Sequence, residues 1–259
     1  MICESPSEAL CDRQFLWIST NPSLQCFHRR ILGVIDQEFP LKYWEYSQTP
    51  DEPGSLEAAL SLLHDFIKTN DRPLHLIGHG LGGVLALSYA RHYPGRVASV
   101  ALISVAAQPI ITWQTYYYQQ LATIYCRRDA VLQLVAGWIS GIPCTRYVQH
   151  LAERLDRDLL EAPSSTSLLQ QDSPLSQGGI SQPLLVYGAI DDPVLMGSIF
   201  TSWSHYLKPG DQIWHQREGG HFFHHQYADE VGSKVKDFWR QLTPSTLHCV
   251  LPQALEITA

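Results

Sequence analysis

The chain lacks the features that mark several large functional classes. Basic residues are in the minority, since 18 Lys and Arg stand against 25 Asp and Glu and give a net charge of -7 at pH 7. Because nucleic-acid binding needs a basic face, we expect no nucleic-acid partner. No apolar run approaches the roughly 20 residues that cross a bilayer, so we expect no transmembrane segment.

Cysteine motifs and metal-ligand spacings are also missing. The six cysteines include no Cys-x-x-Cys pair, which favours free thiols over a metal site or a disulfide framework. Histidines gather at His215, His221, His224 and His225 without a His-Glu-x-x-His spacing or a grouped carboxylate. We therefore predict no metal and no cofactor. The chain begins without a basic, apolar leader, so we expect a cytoplasmic protein.

What the sequence does contain is an alternation of short apolar strands and helical segments. Continuous apolar runs such as 97–106 are typical of strands that are covered on both faces. The alternation predicts an α/β fold, a mostly parallel central sheet with helices on both faces. The predicted strands lie at 15–19, 41–47, 74–79, 97–106, 184–188 and 211–218.

One segment, 108–182, departs from this plan and is rich in aromatic residues and helical patterns. We predict a core built from 14–107 and 183–242, with 108–182 inserted above the sheet as a helical lid. Residues 1–13 and 243–259 are predicted to be disordered tails.

The aromatic residues of this segment predict where a ligand would bind. In one interpretation Trp113 and Tyr117 line an apolar cleft under the lid, which would bind a hydrophobic small molecule. In the other interpretation the aromatic stripe is the packed interior of the lid.

The segment from Leu74 to Gly83 predicts a buried strand, a sharp turn and an apolar helix. Its glycines at 78, 82 and 83 would let the strand and helix backbones approach closely. This is the shape of the Gly-x-nucleophile-x-Gly elbow, which raises one side chain above a sheet. The residue at the nucleophile position is Gly80, which has no side chain.

The elbow and two later motifs resemble those of the α/β-hydrolase superfamily, and they occur in the same order: nucleophile, acid, base. Residues 184–194 read LLVYGAIDDPV and are similar to its strand-Gly-x-x-Asp motif, while Gly219-Gly220-His221 is similar to its Gly-Gly-His turn. The resemblance extends from Phe15 to Leu242. It implies an α/β-hydrolase fold with a helical lid, a base at His221 and an acid at Asp191, with Asp192 as the second choice.

The resemblance also implies an oxyanion hole formed by the amides of Leu81 and Asn21. Here the chain departs from the family, which usually has His-Gly after the first core strand, whereas this sequence reads Ser-Thr-Asn-Pro at 19–22. Together with Gly80, this departure is difficult to reconcile with ordinary ester hydrolysis, which needs a nucleophile held by an imidazole.

Three hypotheses follow. The chain is a pseudohydrolase that binds a hydrophobic small molecule or a protein partner, as the neuroligin-like relatives of esterases imply. Alternatively it is an enzyme of hydrolase, lyase or cofactor-free oxygenase type, in which the pair of His221 and Asp191 acts as a general base. In the third, Gly80 is an engineered or misread residue in a conventional hydrolase.

Overall fold

The structure, a computed structural model, describes residues 15–47, 55–163, 178–195 and 199–242. The predicted tails lie outside these ranges. The strands are β1 Phe15–Ser19, β2 Leu41–Glu45, β3 Leu74–His79, β4 Val97–Ile103, β5 Leu184–Ala189 and β6 Gln212–Gln216. They form one six-stranded sheet in the order β2-β1-β3-β4-β5-β6, and every neighbouring pair is parallel.

Helices connect these strands. They are α1 Gln25–Asp36, α2 Leu56–Ile67, α3 Gly80–His92, α4 Trp113–Thr123, α5 Arg128–Ser140, α6 Thr145–Glu161, α7 Ile199–Ser204, α8 Phe223–Gln226 and α9 Ala228–Gln241. Short 3-10 turns lie at Pro22–Leu24, Pro94–Arg96 and Gly220–Phe222. No helix in the described ranges is both long and apolar enough to span a membrane.

Alternate side chains of β1 enter two different cores, as the two-residue period of a strand requires. Leu16 and Ile18 pack with α2 and α3 on one face of the sheet. Phe15 and Trp17 pack with α1 and α9 on the other. The predicted α/β fold, a parallel sheet with helices on both faces, is confirmed.

The helices α4, α5 and α6, which we call the insertion helices, lie between β4 and β5. They share a third core that also contains Phe27 of α1 and Phe222, next to the predicted base. Gly137 lies inside α5 without ending the helix. The division into core and lid stays a prediction.

The turn from β3 into α3 depends on glycine. A Cβ atom on Gly78 would lie 2.6 Å from the backbone of Gly82 and Gly83, which is closer than any side chain can approach. Gly80 has a φ of +52°, in the left-handed region that glycine adopts without strain. The close approach of strand and helix predicted from these glycines is confirmed.

The segment between β5 and β6 contains the described helix α7, Ile199–Ser204, while Val194 lies in a turn. The Asp192 carboxylate accepts a hydrogen bond from the Val194 amide at 2.9 Å. This local bond holds the chain in a turn and competes with helix formation.

Candidate active site

His221 lies in a glycine-rich turn that follows β6. Gly219 and Gly220 have φ angles of +121° and +60°, and the 3-10 turn Gly220–Phe222 comes directly after them. The His221 side chain is 1% exposed. The positive φ angles explain the two glycines, because residues with a Cβ adopt this backbone only at a cost.

The carboxylate that orients His221 belongs to Asp192. Its Oδ2 lies 2.8 Å from His221 Nδ1, and both side chains are buried. Asp191, the residue assigned to this role from sequence, instead accepts hydrogen bonds from the amides of Gly219 at 3.0 Å and Gly220 at 2.9 Å. The assignment of Asp191 as partner of His221 is therefore wrong. The chain turns after β5, so Asp192 enters the interior while Asp191 is exposed and holds the glycine turn.

The second ring nitrogen of His221 faces the turn at Gly80. A Cβ atom on Gly80 would lie 3.7 Å from His221 Nε2, at the distance of ordinary van der Waals contact. Nε2 is buried and has no hydrogen-bond partner within the described ranges. The imidazole is therefore oriented by a carboxylate on one side and directed at the strand–helix turn on the other.

The backbone of His221 is held from two strand ends. His79 Nε2 donates to the His221 carbonyl at 2.9 Å, and Ser104 Oγ donates to the same oxygen at 3.0 Å. Ser104 follows β4 and has a φ of +51°, a conformation rarely adopted by residues other than glycine. Strained backbone of this kind is characteristic of functional sites. Neither contact was predicted from sequence.

The predicted oxyanion-hole donors, Asn21 and Leu81, lie at the ends of β1 and β3. The Asn21 amide donates to Ser19 Oγ at 3.3 Å, so this donor is occupied within its own loop. The Asn21 side chain donates to both oxygens of Asp158, at 3.0 and 2.9 Å. Leu81 is the second residue of α3 and is buried. An oxyanion hole formed by these two amides stays a prediction.

Asp158 of α6 is a buried carboxyl group that the sequence analysis did not identify. Besides the bonds from the Asn21 side chain, its carboxylate accepts a hydrogen bond from the Ser23 hydroxyl at 2.9 Å. Burial raises the pKa of Asp158 to about 7, against the lowering effect of its hydrogen bonds. The sequence holds a signal for it, because Leu151, Leu155 and Asp158 follow the i, i+4, i+7 spacing of one helix face.

The raised pKa of Asp158 predicts a dependence of stability on pH. The folded state holds this proton more tightly than the unfolded state, in which the pKa is about 4. The contribution of Asp158 to the free energy of unfolding should therefore fall as the pH rises from about 4 to about 7, by at most about 4 kcal/mol. Denaturant titrations across this range should show that Asp158→Asn removes this contribution, so that the difference in unfolding free energy between the natural chain and the variant changes with pH. Asp156→Asn on the same helix, where Asp156 pairs with Arg128 at the surface, is the control. Parallel curves for the natural chain and Asp158→Asn would contradict the assignment.

Trp113 and Tyr117, the predicted ligand-binding residues, are 5% and 1% exposed. Both belong to the core that the insertion helices share with Phe27 and Phe222. This packing agrees with the interpretation of the aromatic stripe as the interior of the lid. Contact with a ligand would require the insertion helices to move, and their ligand-binding role stays a prediction.

The four histidines weighed as metal ligands from sequence do not form one cluster. His215 is exposed on β6, and His225 Nδ1 bonds to the Phe27 carbonyl at 3.2 Å. His224 instead comes together with His28 and His79. Sequence reasoning missed this set because its members come from α1, β3 and α8, and no short spacing connects them.

Known proteins include sequence relatives of this chain and solved structures with a similar fold. The chain is 37% identical over 235 residues to an uncharacterized protein of Nostoc sp., covering 90% of this chain and 94% of that protein. It is 34% identical to an uncharacterized protein of Synechocystis sp., covering 88% and 90%. Among solved structures, a meta-cleavage product hydrolase from Pseudomonas fluorescens is similar with a TM-score of 0.66 and 12% identity, covering 89% and 92%.

The sequence also matches a family profile over most of the core and the insertion. The profile describes the alpha/beta hydrolase family and matches residues 43–233. This range contains the turn at Gly80, the residues Asp191 and Asp192 after β5, and His221. From this match and the similarity to the Nostoc protein, the chain belongs to the alpha/beta hydrolase family.

Proposed function

We propose that this chain is a pseudohydrolase, a family member that forms no acyl-enzyme and acts by binding a partner. The observation that carries the proposal is Gly80 at the turn that His221 Nε2 faces. In the enzymes that the motifs resemble, this turn presents a serine hydroxyl. A glycine offers no atom that could attack a carbonyl group.

The surrounding hydroxyl groups do not replace the missing serine. His221 Nε2 has no hydrogen-bond partner among the described residues. Ser104 Oγ donates to the His221 carbonyl, and Thr20 Oγ1 donates to Asn21 Oδ1 at 2.9 Å. Cys126 and Cys144 are exposed on the insertion segment. These contacts support a site without a nucleophile.

The end of α5 packs against the His221 turn. Gly141 caps α5 with a φ of +63°, and a Cβ atom there would lie 2.6 Å from the Gly220 amide nitrogen. Gln226 Nε2 of α8 donates to the carbonyl of Ser140, the last residue of α5, at 2.7 Å. These contacts support the proposal that the insertion helices act as a lid.

Several apolar side chains of the insertion are exposed, as contact with a partner would require. Leu134 and Trp138 are both 43% exposed and lie one helical turn apart, so they share one face of α5. Further large apolar side chains of the insertion are exposed at Tyr118, Tyr125 and Leu160. This surface supports a protein partner, with a hydrophobic small molecule under the lid as the other ligand class.

Hydrolysis assays test the proposal. The natural chain should hydrolyse p-nitrophenyl esters no faster than buffer does, because no acyl-enzyme can form. Turnover above buffer that survives His221→Ala would contradict both this proposal and the alternative below.

The pair of His221 and Asp192 supports one alternative function. Because the imidazole is oriented and its Nε2 is not engaged, it could remove a proton from a bound substrate or a water molecule. General-base assistance of this kind is worth about 10²–10⁴-fold in rate. Under this alternative a lyase, oxygenase or water-mediated hydrolase activity would be detectable, and His221→Ala would abolish it.

A further inference from the structure

Three buried histidines lie close together on the face of the sheet that carries α1. His28 of α1, His79 at the end of β3 and His224 of α8 bring one ring nitrogen each to within 4.8 Å of one another. Their side chains are 3%, 6% and 0% exposed. Three separate elements thus converge on one buried point.

The hydrogen-bonding groups of this cluster are unsatisfied. Neither ring nitrogen of His28 and neither ring nitrogen of His224 has a hydrogen-bond partner in the part of the chain that the structure describes. Buried polar atoms nearly always have a partner, so four such atoms at one point need an explanation. A ligand that accepts an imidazole lone pair from each ring would account for two of the four.

His79 is already held in the form that binds a metal. Its Nε2 lies 2.9 Å from the His221 carbonyl oxygen, and a carbonyl can only accept, so Nε2 carries the proton. The lone pair is therefore on Nδ1. Metal-binding histidines typically donate their other N–H to a carbonyl or carboxylate in this manner, which fixes the tautomer and the ring orientation.

Coordination of a metal ion would use the neutral form of each imidazole. Aromatic rings surround the cluster, with Trp17 5.1 Å from His28 and Phe222 5.2 Å from His79 between ring centroids.

We propose that His28, His79 and His224 form a three-nitrogen site for a transition-metal ion of the zinc class. Three nitrogen ligands suit Zn²⁺ and its neighbours, whereas Mg²⁺ and Ca²⁺ require oxygen ligands. Nitrogen atoms bound to one Zn²⁺ at about 2.0–2.1 Å lie about 3.4 Å apart in tetrahedral geometry. The present separation of up to 4.8 Å would have to shorten when the ion binds.

The position of the site suggests what the ion does. It would connect α1, α8 and the end of β3, and His79 in turn holds the carbonyl of His221. The ion would therefore stabilise the turn that carries the candidate base without contacting a substrate. This proposal does not depend on the proposed function, because it needs neither catalysis nor a partner.

Metal analysis of the full-length protein tests the proposal. Protein purified from zinc-supplemented cells should contain about one Zn²⁺ per chain, and removal of the ion by a chelator should lower Tm. His28→Phe and His224→Phe, which keep ring size and remove the ligand, should weaken Zn²⁺ binding by about 100-fold or more. His215→Gln, at an exposed histidine outside the cluster, should bind as the natural chain does.

Two results would overturn the proposal. In the first, the natural chain neither retains nor takes up Zn²⁺ or Co²⁺. In the second, His224→Phe binds Zn²⁺ as tightly as the natural chain does. Should the phenylalanine variants not fold, the Co²⁺ spectrum of the natural chain decides. Nitrogen-only coordination is expected, and a thiolate charge-transfer band would place the ion on cysteine and overturn the proposal.

Discussion

A Gly80→Ser variant is expected to react covalently with a fluorophosphonate, whereas the natural chain is not. A Cβ atom at position 80 lies 3.7 Å from His221 Nε2, so the new hydroxyl group can reach hydrogen-bonding distance of the imidazole. His221 is in turn oriented by Asp192 at 2.8 Å. The substitution therefore completes a nucleophile, base and acid in the arrangement of a catalytic triad.

The same substitution should cost stability. The φ of +52° at position 80 suits glycine, and a residue with a Cβ atom pays about 1–3 kcal/mol to adopt it. Gly80→Ala carries this strain without the hydroxyl group, so it is the matched control. It should lose as much stability as Gly80→Ser and remain unlabelled. A folded Gly80→Ser protein that resists labelling would mean that the pair of His221 and Asp192 is only a structural relic.

The two neighbouring aspartates should differ widely in the Gly80→Ser background. Asp192→Asn is expected to lower the rate of fluorophosphonate labelling by about 10²–10⁴-fold, because an amide cannot hold His221 in the productive tautomer. Asp191→Asn is expected to change the rate by less than about 10-fold, since Asp191 accepts hydrogen bonds from the amides of Gly219 and Gly220 and not from the His221 ring. Both rates follow from quenching the labelling reaction at successive times and measuring the labelled fraction by mass spectrometry.

The comparison of the two aspartates also tests the geometry of the site. If Asp191→Asn were the damaging change, the orientation of His221 by Asp192 would be incorrect. Thermal unfolding of both double variants is the control for folding, because Asp191 stabilises the glycine turn and Asp192 bonds to the Val194 amide.

Much of the fold could be predicted because local pattern determines it. Strands such as β1 and β4 are buried on both faces, and their continuous apolar runs show this directly. The β3–α3 turn could be predicted because glycines at fixed spacing are needed where backbones approach. Local pattern also explains the start of α2, where Ser55, a residue type favoured at the N-cap, accepts a hydrogen bond from the Ala58 amide.

The site was less predictable because its contacts are long-range. Asp191 and Asp192 are adjacent in sequence, and only the turn after β5 determines which one enters the interior. The histidine cluster joins residues from positions 28 to 224, a relation that no spacing encodes. Asp158 was identifiable in principle, as a charged residue on the apolar face of α6, but its partners Asn21 and Ser23 lie more than 130 residues away.

The hydrogen bonds that hold the His221 backbone connect the two proposals. Its carbonyl accepts hydrogen bonds from His79, a member of the histidine cluster, and from Ser104. Its side chain faces Gly80 on the opposite side of the turn. The proposal of a family member that forms no acyl-enzyme depends on this geometry, in which the imidazole faces Gly80.

Intact-mass spectrometry of the natural chain after fluorophosphonate treatment tests the central claim most directly, with Gly80→Ser as the positive control. The proposal of a non-acylating protein predicts that the natural chain keeps its unmodified mass while the variant gains one inhibitor group. A stoichiometric adduct on the natural chain, mapped by peptide analysis to the residues around His221, would contradict it.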